Sequence, residues 1–239
     1  MSAGYAHITL VNEIAVPSML EAAGVHSEAA EAVQEWFKFC ELGAVSPDYP
    51  YLKLEDSGAQ QWADDMHKTR AGEMIHAGIS LLKTMRGDAH QKGLTWLLGY
   101  AAHVYTDLVV HPVVNRKVGR PYEDHKTDHR ICEMHQDVYI YQRLGLGTIE
   151  MAEHLDSGVV QCRDAHDTDA LDKDIAELWY SMFRQVYEHN FNIARPRIDE
   201  WHRRFVFVID KIAEEGGGLV PFARHVAADQ GLVYPAKED

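Results

Sequence analysis

The stretch GYAAHVYTDLVVHP, residues 99–112, places His103, Asp107 and His111 at intervals of four inside the most apolar part of the chain. An α-helix turns about 100° per residue, so each of these positions lies only about 40° from the last. Two imidazoles and a carboxylate therefore share one helix face. From Leu94 to Val114 almost every residue is apolar, and a helix hydrophobic all round is normally a buried one. A carboxylate buried there needs a compensating charge. Three arrangements supply it: a metal ion, a salt-bridge network around Asp107, or a catalytic His–Asp pair.

A second row favours the metal. HRICEMHQD gives His129, Glu133 and Asp137 at the same spacing. Two helices with such stripes can face one another and offer six nitrogen and oxygen ligands. Imidazole with carboxylate suits zinc, with manganese, iron or nickel as alternatives. The rival reading is an exposed charged face. His125 and His135 compete as ligands from the same stretch, but His135 stands two residues from Glu133 and points elsewhere. Asp48 sits in the proline-bounded GAVSPDYPYL, His67 follows in WADDMHKT, and His7 lies near the N-terminus.

The order His7, Pro47-Asp48, His67, His103-x3-Asp107-x3-His111 and His129-x3-Glu133 resembles the zinc-dependent phospholipase C family and the related S1/P1-type nucleases. The likeness spans roughly residues 5 to 141 and lies in the order and type of the ligands. It implies an all-α bundle holding two or three zinc ions. Asp48, His67, His103 and Asp107 would hold the first ion, and His111, His129 and Glu133 the second. A third would take His7, a bridging Asp107 and a free terminal amine, usually that of a Trp. This sequence instead opens Met-Ser-Ala-Gly-Tyr-Ala-His, and its Asp107–His111 interval is shorter than is common in the secreted enzymes.

The activity so implied is phosphodiester hydrolysis by a metal-activated water, with Asp48 as ligand and catalytic group and Asp137 behind His129. The expected substrate is a phospholipid or small phosphoester, with transient contact to a membrane surface. An S1/P1-like nuclease or another phosphoesterase is the alternative. Tyr49, Tyr51, Leu52 and Trp62 are apolar side chains for such a site, or ordinary packing.

The helices that must carry these residues are read at 7–23, 27–42, about 59–85, 91–111, 129–143, 173–193 and 196–214. Ser27 caps the second, 43–58 is a loop, Gly87 and Asp88 divide the fourth from its predecessor, and Pro112 limits it. A short helix is expected within 148–172. RFVFVID, 204–210, continues a helical pattern, so the chain reads as all-α, seven or eight helices in a single domain.

Composition narrows the partners. A formal net charge of −14 argues against a nucleic-acid footprint, while fifteen histidines fit a metal protein. No apolar run is long enough to span a membrane, and the N-terminus lacks the basic region of a secretory signal. Cys40, Cys132 and Cys162 form no CxxC pair and fit reduced thiols, so the cytoplasm is the expected location. A di-iron bundle needs two Glu-x-x-His motifs, and only Glu73-Met-Ile-His76 exists. The His166-Asp167 pair stands in a polar loop without partners for an HD-type phosphohydrolase. A helical scaffold with a structural or degenerate metal site is the non-enzymatic reading.

Overall fold

The computed structural model describes residues 4–53, 56–119, 125–144 and 158–214. It is all-α: among the described residues, strand-like pairing is confined to one bridge between Arg163 and Leu171. The α-helical segments are α1 (Gly4–Ile14), α2 (Pro17–Ala22), α3 (Ser27–Glu35), α4 (Phe37–Val45), α5 (Ser57–Lys68), α6 (Ala71–Leu82), α7 (Gly87–Val118), α8 (Lys126–Tyr141), α9 (Lys173–Val186), α10 (Glu188–Ile193) and α11 (Ile198–Glu214).

The surplus over the expected count comes from breaks inside helices read as continuous. Pro17, which has no N–H to donate, starts α2 and ends the first run. Trp36 leaves helical geometry at φ −110°, ψ 26° and separates α3 from α4. Arg70 adopts φ 56°, a left-handed conformation that divides α5 from α6. The cap of α3 is His26, whose imidazole accepts from the Glu28 amide at 3.4 Å, rather than Ser27. The expected loop at 43–58 is also partly helical. α4 runs through Val45, and a 3₁₀ turn spans Ser46–Leu52. Part of the short helix expected within 148–172 lies outside the described residues; a 3₁₀ turn occupies Val159–Gln161.

α7 is the axis, packing against α1, α3, α4, α6, α8 and α9. Two glycines let α4 approach it closely. A Cβ on Gly99 would lie 1.9 Å from the Cys40 carbonyl oxygen, and one on Gly43 would lie 2.0 Å from that of Trp96. Backbone meets backbone there, and no other residue fits either position. α9 shows how the periphery is built. Asp172 caps it by accepting from the amides of Asp174 and Ile175. Its Ile175, Leu178, Trp179, Met182, Phe183 and Val186 form one buried stripe against the common core.

α7 corrects two expectations. Pro112 does not end it, because the helix continues to Val118, where Gly119 at φ 74° closes it. Nor is the apolar run buried throughout. Trp96 and Tyr100 are fully buried, whereas Tyr105 is 66% and Leu108 71% exposed. One face of the second half of α7 stands at the surface, and Pro112 lies on it, so it disturbs no packed interior.

Candidate metal centre

Five helical segments converge at the middle of α7. α1 brings His7, the 3₁₀ turn Asp48, α5 His67, α7 itself His103, Asp107 and His111, and α8 His129 and Glu133. The Asp107 carboxylate is the hub. Its Oδ1 lies 3.4 Å from His7 Nε2 and 3.4 Å from His111 Nε2. Its Oδ2 lies 3.5 Å from His103 Nε2 and 3.6 Å from His67 Nε2. Asp48 Oδ1 stands 3.2 Å from His67 Nε2, and the His7 ring stacks on His103 at 3.8 Å between centroids.

Backbone carbonyls set the tautomers. His103 Nδ1 lies 2.7 Å from the Ala44 oxygen, and His67 Nδ1 lies 2.7 Å from the Ala63 oxygen. A carbonyl oxygen only accepts, so both Nδ1 atoms carry hydrogen. In the neutral rings each Nε2 is then a lone pair. Those two lone pairs face one another at 3.0 Å, with Asp48 and Asp107 oxygens beside them. Only a proton or a cation between them relieves that arrangement. Imidazole nitrogen and carboxylate oxygen form the donor set that zinc prefers. The residues fit the metal.

The electrostatics agree. Burial works to raise the Asp48 carboxyl, but the His67 hydrogen bond and the neighbouring imidazoles bring it down to about 2. For Asp107, burial is likewise outweighed by His103 and by hydrogen bonds from His103, His111 and His7, leaving it well below the carboxylate range. Burial is the largest single influence on His103 and pulls it down, but the charge and hydrogen bond of Asp107, with Asp48 and the Ala44 carbonyl, together outweigh it and raise the imidazole. His7 falls to about 4, chiefly through burial and then through the charge of His103. Positive charge is drawn to the middle of the cluster, and negative charge is held around it.

Two groups of three donors converge within 4.8 Å among the described residues: His7, His103 and Asp107, and Asp48, His67 and His103. His111 and Glu133 approach to 4.0 Å, while His129 is buried one turn before Glu133 on α8. These three do not form a further such group among the described residues. Glu133 is raised by burial. The terminal amine implied for a third ion lies outside the described residues. His135 is exposed, and of the four apolar side chains proposed near the site only Tyr51 lines the cavity. Tyr49, Leu52 and Trp62 belong to the core.

That cavity, about 680 Å³, opens beside Asp107 and His111. Met66, Val104, Leu108 and Pro112 give it an apolar wall, and Lys68 and Asn115 add polar groups. His111 is 27% exposed at its side chain, so the centre opens to the cavity there.

The positioning residues come from places that no spacing rule marks. Asp137, expected behind His129, accepts from the amides of Ala6 at 2.7 Å and Tyr5 at 3.4 Å. It caps α1 from another helix and sets His7, one residue further on. Trp96 donates to Ser46 at 2.9 Å, and Ser46 to the Leu42 carbonyl at 2.7 Å, fixing the turn that presents Asp48. The C-terminal helices hold the other side. Lys53 pairs with Glu200 at 2.5 Å, Arg197 with Asp56, and Tyr49 stacks on Phe205. Asn190 donates to Asp65 at 2.9 Å, and the Tyr187 hydroxyl donates to the carbonyls of Asp65 and Thr69, either side of His67.

Tyr187→Phe removes that hydroxyl and keeps the ring. The expected result is about 1 kcal/mol of lost stability and a zinc affinity weakened roughly tenfold, measured by chelator competition. A lower melting temperature with unchanged affinity would show that the hydroxyl only supports the fold.

His202 is 1% exposed, and its Nδ1 stands 3.4 Å from the Tyr49 hydroxyl. Burial, aided by the charge of Arg163, lowers it from 6.5 to about 4. Below pH 6.5 the unfolded chain takes up a proton that the folded chain refuses, so stability falls as pH drops toward 4. Between pH 7 and pH 5 the wild type, compared metal-free, should lose about 2 kcal/mol more than His202→Leu in urea unfolding. Equal losses would contradict this.

An all-helical bundle around a buried histidine–carboxylate cluster defines the class: a helical protein with a candidate site for a divalent metal. The chain belongs to the zinc-dependent phospholipase C family, whose model, described as zinc dependent phospholipase C, matches residues 6–189. The match extends past the expected limit near 141 and takes in α9 and part of α10. A comparison with curated proteins and one with solved structures gave no match. Membership implies zinc and a hydrolase acting on phosphoesters.

Proposed function

We propose that the chain hydrolyses phosphodiesters of the phospholipid class in a zinc-dependent reaction, with Asp48, His67, His103 and Asp107 holding one ion and His111, His129 and Glu133 a second. The facing lone pairs of His67 and His103, 3.0 Å apart, carry the reading. Zinc bound there supplies Lewis acidity that acidifies a water and offsets charge on the phosphoryl oxygens.

The chain's own groups do the rest. His67 and His103 keep their Nε2 lone pairs aimed inward because carbonyls hold their Nδ1 protons. Asp107 reaches four imidazoles with its two oxygens and is placed to bridge. Asp48, held at about 2, stays a carboxylate and orients a water by accepting its hydrogen bond. His7, neutral above about 4, adds a lone-pair donor on the far side of Asp107.

The apolar cavity wall favours an ester with an apolar body, and the acidic chain disfavours a polynucleotide. Three buried free thiols fit a reducing compartment, and on that basis we place the protein in the cytoplasm. Zinc analysis with a panel of p-nitrophenyl phosphorylcholine, bis-p-nitrophenyl phosphate and single-stranded DNA tests the reading. Zinc with turnover of the first is expected. Preference for DNA would make it a nuclease, and zinc without turnover of any of the three would leave a structural metal site.

A further inference from the structure

The second half of α7 carries an apolar face that no other element covers among the described residues. Tyr105, Leu108, Val109 and Val113 are 66%, 71%, 49% and 58% exposed. Pro112 and Arg116 are exposed with them. The positions run i, i+3, i+4, i+7, i+8 and i+11, which is one helix face. Four of the eleven large exposed hydrophobic side chains among the described residues thus fall within nine residues of one helix. Singly exposed side chains need no explanation, but a row of them does.

The row is continuous with the metal centre. Leu108 and Pro112 belong to it and also line the cavity beside Asp107 and His111. Tyr105, Val109 and Val113 lie further round the helix and line no part of that cavity. Leu108 and Pro112 thus join the exposed face to the apolar wall of the cavity.

Charge narrows the occupant. The chain carries a formal −14, so a strongly anionic surface repels it. The face itself ends in Arg116 and is followed by Lys117, cations that suit phosphate groups at one end, while Tyr105 places an amphipathic ring at the other. Aromatic, aliphatic and basic side chains along one helix face form the pattern of a helix lying in a lipid–water interface.

We infer that this face of α7 docks the protein on a zwitterionic phospholipid surface and sets the cavity mouth against the headgroups. The inference rests on the phospholipid reading of the site, and it places the partner on named side chains outside the metal centre.

The test uses the zinc-loaded full chain with sucrose-loaded vesicles of phosphatidylcholine alone, comparing wild type with the double variant Val109→Glu/Val113→Glu. Both positions are exposed and line no part of the cavity, so the fold and the turnover of soluble p-nitrophenyl phosphorylcholine should persist. Wild type should sediment with the vesicles, and the variant should bind about tenfold less or weaker. Wild type left in the supernatant, or a variant binding as well as wild type, overturns the inference. A wild-type dimer in light scattering that the variant dissolves also overturns it, since the face would then belong to a second copy. If neither protein turns over the soluble ester yet the two sediment differently, the docking face stands and the hydrolytic reading fails.

Discussion

Asp107→Asn is expected to empty the centre and lower phosphodiester turnover by about a thousandfold or more. The substitution keeps the side-chain shape and removes one charge. In the wild type, two carboxylate oxygens reach His7, His67, His103 and His111 at 3.4 to 3.6 Å. An amide offers one oxygen and one NH₂ group, and the NH₂ turned toward an imidazole lone pair takes up the position a metal needs. The folded protein can accept that hydrogen bond, so the metal-free fold should be little changed and the loss should fall on zinc binding, together with the stability that zinc contributes. Zinc per chain by elemental analysis, with turnover of p-nitrophenyl phosphorylcholine, checks it. Full zinc content, or turnover within tenfold of wild type, would remove Asp107 from the hub role.

Stripping zinc should show how much of the fold depends on the cluster. Metal-free, the lone pairs of His67 and His103 face one another among carboxylates held low in pKa. Zinc binds the folded chain in preference to the unfolded one. At a thousandfold excess over its dissociation constant it contributes about 4 kcal/mol. For a chain of this size that corresponds to roughly 8 to 16 °C in melting temperature. Scanning calorimetry before chelation, after it, and after zinc is restored measures the shift. Superimposable transitions would mean that no metal belongs there.

These results bear on how the centre is assembled. His103, Asp107 and His111 hold their positions by helix geometry alone, and they do share the face their spacing predicts. His67 and Asp48 do not. Their places depend on Tyr187, Asn190 and Asp65 on one side, and on Glu200 and Phe205 on the other. The C-terminal helices therefore act on the centre although they contribute none of the proposed ligands.

Some of this was legible in order. The all-α class and the two His/carboxylate stripes follow from a period of 3.6, which is a property of the local backbone. Helix breaks at Trp36 and Arg70 were not legible, because neither residue type marks a break. Pro112 misled in the other direction. A helix at the surface tolerates a missing N–H that a packed one would not.

Periodicity placed donors on helix faces but not faces against each other. An apolar run says that a segment prefers to leave water, yet not which half of it finds a partner. Half of α7 became the axis because Gly43 and Gly99 let α4 lie against it, which also brings the Ala44 carbonyl to His103. In the other half one face carries the donors of the centre, and the opposite face stayed outside. Hydrogen-bond directions across that contact fixed which imidazole nitrogens point inward, and they depend on distances between segments far apart in the chain. The sequence by itself determined which residues could bind a metal; the packing of α1, α4, α5, α8 and the C-terminal helices around α7 decided which donor atoms meet, because convergence is a property of close contact between elements.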